Sequence, residues 1–596
     1  VKSLLRCAVL AVFASVLTSA VAANVQAATS DAGFIEQHDV LLPTPDGANV
    51  CVLVVRPRTA ARVPAVLEFT IYNDNSTLGR TRRSAEHGYA GVTALTRGKG
   101  CSPDLRVVPY EHDGADADMV IKWIAAQPWS NGSVGMIGGS YSGFTAWAAT
   151  KHLPKALKTI VVGAPEGPAI DTPSENGVVW NFIYPWPFYT TDNKTLDEAT
   201  YSDRLRWARL NREWYVQGAA YRDLDNLDGT TNPWWDVWLT HPTYDAYWQA
   251  MIPYANDFAH VTIPVLQTAG YYYGGPAAAT YYFLQHHAHD PKAEDYLVVG
   301  PWDHIMAQRG ADAHANAVAG YTIDPAATID LVALDYAWFD HVLKGGPKPA
   351  LLRDHVNFEV TGANVWRHAR SIAAMANGSM RLYLNGTRAG SEFHLSSSPG
   401  SSKPVTLSVD LTDRTDADRA PVGGIKSRQI DHNNGLVFAS DPLPAATEIS
   451  GVFSGDLDVS INKKDADIEV DLYERTSAGD YYALAPWWTR VSLLRDRTHR
   501  SLLRPGARVH LPFQAMRVMS RKLAAGSRIV AVVSAIKEPG RQINYGSGKD
   551  VNEETVADAA GEPLTINWFA DSFVELPLHL SSRAESRDRP NRALRP

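Results

Sequence analysis

Residues 133–144, Ser-Val-Gly-Met-Ile-Gly-Gly-Ser-Tyr-Ser-Gly-Phe, constrain this chain more than any other stretch. The apolar run Val134, Met136 and Ile137 reads as a buried parallel strand. Gly138 and Gly139 then permit a sharp turn, Ser140 stands at its apex, and the Ala- and Trp-rich run Phe144–Thr150 reads as a helix. A strand that turns this tightly into a helix lifts a hydroxyl clear of the sheet. The helix start offers backbone N–H groups to a developing negative charge. The pattern departs from Gly-x-Ser-x-Gly, because position 142 is Ser and the glycine arrives at Gly143.

The flanking sequence agrees with this reading. Val50–Val55, Ala65–Ile71 and Leu157–Gly163 read as strands and Glu111–Ala126 as a helix. Strands alternating with helices over residues 28–165 predict a parallel, doubly wound sheet, whose site gathers at the carboxyl ends of the strands. From 166 to 262 the strand signals give way to helical ones rich in tryptophan. Trp207, Leu210 and Trp214 share one helix face, so this segment is expected to be a cap inserted over the site. The strand signal resumes at Ile263–Ala269 and Tyr296–Gly300, and Leu331–Leu343 reads as a closing helix ending at Gly345. Short alternating runs such as Arg381–Leu384, Asp467–Leu472 and Arg528–Val533 then predict an all-β domain, a sandwich or jelly roll, over 347–582. The expected core is therefore 28–165 with 263–346, and residues 583–596 read as a frayed tail.

The first 27 residues read as a secretory signal peptide. Lys2 and Arg6 form the basic start, Cys7–Leu17 the apolar run, and Ala20-Val-Ala22 or Val25-Gln-Ala27 the cleavage site. The expected location is periplasmic or secreted, with no membrane contact after cleavage. Only Cys51 and Cys101 remain after processing. A bridge and two separate buried thiols both stay open, because sequence does not give the Cα separation. The net charge of -8 comes with no long basic run, so a nucleic-acid partner is not expected. Gln285-His-His-Ala-His289 reads as histidines at a helix end rather than a metal site, and no phosphate loop is visible. No metal or cofactor is expected.

A serine nucleophile needs a base, a group that orients the base, and donors for an oxyanion. His304 follows a late strand in Gly300-Pro-Trp-Asp-His304. Together, Gly138-Gly-Ser-Tyr-Ser-Gly143, Gln127-Pro-Trp129, Gly300–His304, Thr96-Arg-Gly98, His241–Trp248, Trp338–Gly345 and Val360–Trp366 resemble one family of α/β-hydrolases. That family comprises cocaine esterase, α-amino-acid ester hydrolases, glutaryl-cephalosporin acylases and S15-type X-Pro dipeptidyl-peptidases. The resemblance covers nearly the whole mature chain. It implies an α/β-hydrolase core with an inserted helical cap and a C-terminal β jelly-roll domain. It implies Ser140 as nucleophile, His304 as base, and the Tyr141 N–H with the Tyr72 hydroxyl as oxyanion donors. The activity implied is hydrolysis of a small-molecule ester or amide through an acyl-serine; oligomeric state stays open.

Two departures bear on function. The family's triad acid lies in a Gly-Trp-Tyr-Asp-like motif, where this chain has Gly270-Tyr-Tyr-Tyr273. A phenol at Tyr273 brings no negative charge to stabilise an imidazolium. Glu166, at the end of the strand after the elbow helix, is the candidate surrogate acid; Asp171 is a weaker one, and Asp303 is not oriented by its position. The second departure is Gly274-Gly-Pro276, which supplies no acid for a substrate ammonium group. An X-Pro-type exopeptidase and a catalytically degenerate binding protein remain as alternative functions.

Overall fold

A computed structural model describes residues 33–272, 276–311, 316–400, 403–420 and 422–580. The signal-peptide segment, Tyr273 and the 583–596 tail lie outside the described residues.

Ten strands form the core sheet: β1 Phe34–Pro43, β2 Asn49–Pro57, β3 Val63–Thr70, β4 Ala90–Leu95, β5 Ser130–Gly139, β6 Leu157–Gly163, β7 Val265–Gly270, β8 Asp295–Gly300, β9 Val356–Val360 and β10 Val365–Ala369. Their order is β1-β2-β4-β3-β5-β6-β7-β8-β9-β10. The run from β4 to β9 is parallel, and the edges are antiparallel. β4, β7 and β8 are buried at every residue, as strands covered on both faces must be. The strand order reverses between β3 and β5, so the crevice at their carboxyl ends is the topological switch point of the sheet. Tyr72 follows β3 and Ser140 follows β5.

The core does not close at 346. Val356–Val360 is fully buried and pairs in parallel with β8, and Gly362, with φ 74°, turns the chain back into β10. Val360–Trp366, expected to open the C-terminal domain, is instead the last hairpin of the core sheet. The apolar alternation Val356, Phe358, Val360 is equally compatible with a sandwich strand, which is why sequence alone set the boundary early.

Between β6 and β7 the chain forms the helical cap. Its longer helices are Pro185–Thr191, Arg204–Gln217, Pro233–Leu239 and Ala246–Met251. Trp207, Leu210, Trp214, Trp234, Trp235 and Trp238 are buried within it. The Leu331–Lys344 helix ends at Gly345 in the left-handed conformation, as a glycine just past a helix favours. Strands from Gly378 to His579 build a strand-rich β-sandwich. The cap leans on it: Tyr215 donates to Asp416 at 2.6 Å, and Trp180 packs edge-on against Trp488 at 4.7 Å.

Cys51 and Cys101 form a disulfide with a Cα separation of 5.4 Å. Cys101 lies in a loop fastened to the cap by two lysines. Lys194 Nζ donates to the carbonyls of Gly98 at 2.8 Å, Ser102 at 2.7 Å and Asp104. Lys99 Nζ, reaching the other way, donates to the carbonyls of Asn193 at 3.0 Å and Thr195. Among the described residues, no helix is long and apolar enough to cross a membrane.

Candidate active site

Ser140 sits at φ 56° and ψ −125°, a backbone region that a residue with a Cβ rarely adopts. The turn is held from both sides. Ser140 N–H donates to Gly163 O at 3.0 Å, and Ser140 O accepts from the N–H groups of Gly143, Phe144 and Glu166. A Cβ on Gly138 would stand 2.4 Å from the Ser142 backbone, and one on Gly139 would stand 2.1 Å from Gln308 Oε1. Gly138 is therefore required by close approach to backbone, while a Cβ at Gly139 would displace the Gln308 side chain. The result is the expected nucleophile elbow, with the Tyr141–Thr150 helix starting immediately after the serine. Tyr141 opens that helix, so its N–H has no intrahelical acceptor.

Ser140, His304, Tyr72 and Glu166 line one cavity of about 440 Å³. Tyr72 is held by the cap: Trp186 Nε1 donates to its hydroxyl oxygen at 3.2 Å. An indole N–H can only donate, so the phenol keeps its own proton for another acceptor. Burial, and then the charge on Glu166, hold the Tyr72 phenol above its ordinary pKa, so it stays a proton-bearing donor. The side chain of Tyr141 points elsewhere. Its hydroxyl donates to Asp113 at 2.6 Å and accepts from Tyr110 N–H at 2.9 Å, which makes it a strut beneath the site.

Glu166 stands against Ser140 itself. Ser140 Oγ donates to Glu166 Oε1 at 3.0 Å, and Tyr110 OH donates to Oε2 at 2.9 Å. Tyr282 OH fixes the Glu166 carbonyl at 2.9 Å. Burial pushes the Glu166 carboxyl up to about 7, against the lowering effect of the Tyr110 and Ser140 bonds. The other carboxylates weighed from sequence are occupied. Asp171 accepts from the N–H groups of Gly167 and Ala278, each at 3.0 Å. Asp303 Oδ1 accepts from the N–H groups of Ile305 at 3.0 Å and Met306 at 2.8 Å, capping a short helix. Gln308, on that helix, donates to His304 O at 3.0 Å and covers Gly139, which ties the histidine loop to the elbow. His286, in the histidine run, bonds Asp295 at 3.1 Å and Val261 O at 2.8 Å, so its two ring nitrogens are used within the protein.

Three contributors escaped sequence reading. Trp186 was one tryptophan among many in the cap, with no local pattern to mark it. Tyr110 lies in a loop at φ 67°, where only the fold brings it to Glu166. Gln308 had a signal in principle, four residues after His304 and opposite the two glycines, but nothing in the spacing specifies that contact.

Residues 46–306 match the X-Pro dipeptidyl-peptidase (S15 family), and residues 352–567 match the X-Pro dipeptidyl-peptidase C-terminal non-catalytic domain. The cocaine esterase of Rhodococcus sp. (strain MB1 Bresler) is 26% identical over 561 residues, which is 89% of this chain and 95% of that protein. The Xaa-Pro dipeptidyl-peptidase of Lacticaseibacillus rhamnosus is 28% identical over 226 residues, 33% of this chain and 28% of that one. Among solved structures, an aminopeptidase from a marine sediment Thaumarchaeota archaeon superposes with a TM-score of 0.76 at 19% identity, covering 92% of this chain and 97% of that one. An α-amino acid ester hydrolase superposes with a TM-score of 0.72 at 21% identity, covering 95% and 100%.

Proposed function

Because the chain belongs to the S15-type family of serine α/β-hydrolases that includes cocaine esterase and the X-Pro dipeptidyl-peptidases, we propose that it cleaves an acyl ester or amide through an acyl-Ser140 intermediate. The observation that carries this reading is the elbow: a serine at positive φ, bonded through Oγ to a carboxylate, in a cavity shared with His304 and Tyr72.

The Ser140 hydroxyl turns its proton from Glu166 Oε1 to His304, and Oγ attacks the acyl carbonyl carbon as His304 takes that proton. The carbonyl oxygen becomes an oxyanion and accepts from the Tyr141 N–H and the Tyr72 hydroxyl. The carbon–leaving-group bond then breaks, and His304 returns its proton to the departing oxygen or nitrogen. Water repeats the sequence on the acyl-serine, releasing the acid and restoring Ser140. Glu166 sets the resting hydroxyl by its bond to Oγ and brings negative charge to the cavity that His304 lines. In this reading it serves in place of the family's triad carboxylate, through the nucleophile rather than by position in the sequence.

Export to an oxidising compartment is part of the proposal. It is supported by the basic-apolar-small pattern of residues 1–27 and by the Cys51–Cys101 disulfide. The experiment is fluorophosphonate labelling followed by peptide mapping, with Ser140→Ala as control. Label on Ser140, and loss of ester turnover by about 10⁴-fold or more in the variant with its thermal midpoint kept, is expected. Unlabelled wild type, or turnover surviving in Ser140→Ala, overturns the reading.

A further inference from the structure

The cavity continues past the nucleophile. Besides Ser140 and its neighbours, its lining includes Arg80, Thr81 and Ser84 of the Thr77–Glu86 helix and Val332, Asp335 and Tyr336 of the Leu331–Lys344 helix. Asp335 is 7% exposed, and among the described residues its carboxylate takes no hydrogen bond and no ion pair. Its surroundings are otherwise satisfied. The next residue, Tyr336, bonds Ser84 Oγ at 2.9 Å and stacks on His87. Arg80, also on the cavity wall, is committed to Glu68 at 3.1 Å and to Asp74 at 3.0 Å.

The Asp335 oxygens are not sealed in protein but face the cavity, so the donors the protein withholds can come from what occupies it. Burial pushes the Asp335 carboxyl well above its ordinary range, with the charge of Asp330 acting in the same direction. A neutral donor from a ligand would meet only part of that cost. A cationic donor meets it best, because the charge-assisted bond is the stronger one and the opposite charge favours the ionised acid. The two cations nearest the rim, Arg83 and Arg309, are exposed to water and leave this part of the wall without an inward positive charge.

We propose that Asp335 holds a positively charged group of the substrate, and that the preferred esters or amides carry an amine at the far end of the group that enters this cavity. The inference rests on the serine-hydrolase reading for the placement of the scissile bond. It assigns the cation to a wall built by the closing helix.

The test compares 4-nitrophenyl esters of 4-aminobutanoic, 6-aminohexanoic and 8-aminooctanoic acids with uncharged alkanoate esters of equal length. In the wild type, the ammonium ester is expected to exceed its neutral partner in kcat/KM by about 10-fold or more at one length. In Asp335→Asn that ratio is expected to fall to about one or below, and Asp335→Glu should keep a preference moved towards the shorter chain. Each ratio is taken within one variant, so partial misfolding cancels. No preference at any length in the wild type, or a preference that survives in Asp335→Asn, overturns the proposal. Calorimetric binding of n-hexylammonium needs no turnover: binding lost in Asp335→Asn supports the site, and its absence in the wild type overturns it. Failure to turn over any neutral ester counts against the hydrolase reading instead, so the two failures are distinguishable.

Discussion

Around Ser140, Asp113 and Glu166 are buried and Asp171 half-buried, and their partners are all neutral among the described residues. Asp113 accepts from Thr96 at 2.7 Å and Tyr141 at 2.6 Å, Glu166 from Ser140 and Tyr110, and Asp171 from two backbone N–H groups. Burial pushes each of the three up to about 7. The C-terminal sandwich buries acids differently. Asp467 is gripped by Arg490 at 3.0 and 2.8 Å, Asp465 by Arg500 at 2.9 Å, and Glu474 by Arg521 at 2.6 Å. At Asp467 burial raises the pKa while the Arg490 charge pulls it down, and the paired bonds make the contact a strut. Hydroxyls and amides leave the proton near balance at neutral pH, which is what acid–base chemistry requires. The two regions thus hold these acids with different partners, hydroxyls and amides around Ser140 and guanidinium groups in the sandwich.

The sharpest way to break that comparison is Glu166→Gln. It keeps a side chain of the same shape but removes the charge, and kcat for a neutral ester should fall by roughly 10³-fold, a step below the ~10⁴ lost when a triad carboxylate is neutralised. Stability should move the other way with pH. Glu166, Asp113 and Asp171 hold their protons more tightly folded than unfolded. Their contribution is therefore full below the ordinary carboxylate range and is lost as pH rises to about 7. Chemical denaturation across that window should show the wild type losing stability and Glu166→Gln losing less. An unchanged kcat removes Glu166 from the reaction.

Arg490→Met probes the other side. It strands the Asp467 carboxylate in the sandwich, and denaturation should show a loss of about 3–5 kcal/mol. Turnover per folded molecule should hold. A loss well under that range would mean the sandwich pairs are not the struts described.

Tyr72→Phe deletes one oxyanion donor and leaves Trp186 Nε1 without its acceptor. A drop of about 10²-fold in kcat with little change in KM is expected from steady-state kinetics. The smallest effect is assigned to Tyr273→Asp. With Glu166 already bonded to Ser140, a second carboxylate should raise kcat by less than about 10-fold, out of the ~10⁴ that a triad acid can supply. A larger gain would return the acid's role to position 273.

The elbow was legible because it rests on local rules: a Gly-Gly turn whose first glycine is forced by close approach, an apolar strand before and a helix after. Tyr72 was legible from a strand end, and the cap and sandwich from a change of period in the hydrophobic pattern. The contacts that tune the site were not. Trp186 and Tyr110 reach it from segments remote in sequence, and Glu166 was read as a partner for the base when the fold brings it to the nucleophile. That Val356–Val360 and Val365–Ala369 join the core sheet, although the C-terminal domain's family match begins at 352, was not legible because a buried strand carries no mark of the sheet it joins.

The seam at Lys99 and Lys194 has a consequence for how such a chain can drift. Each lysine reads only main-chain carbonyls across the gap, so the side chains at 98, 102 and 104 and at 193 and 195 are not specified by this contact. Substitutions can accumulate on both loops while the docking of cap to core persists, provided the two cations and the backbone path survive. The part of the molecule that frames substrate access is thereby buffered against mutation at the very loops that join it.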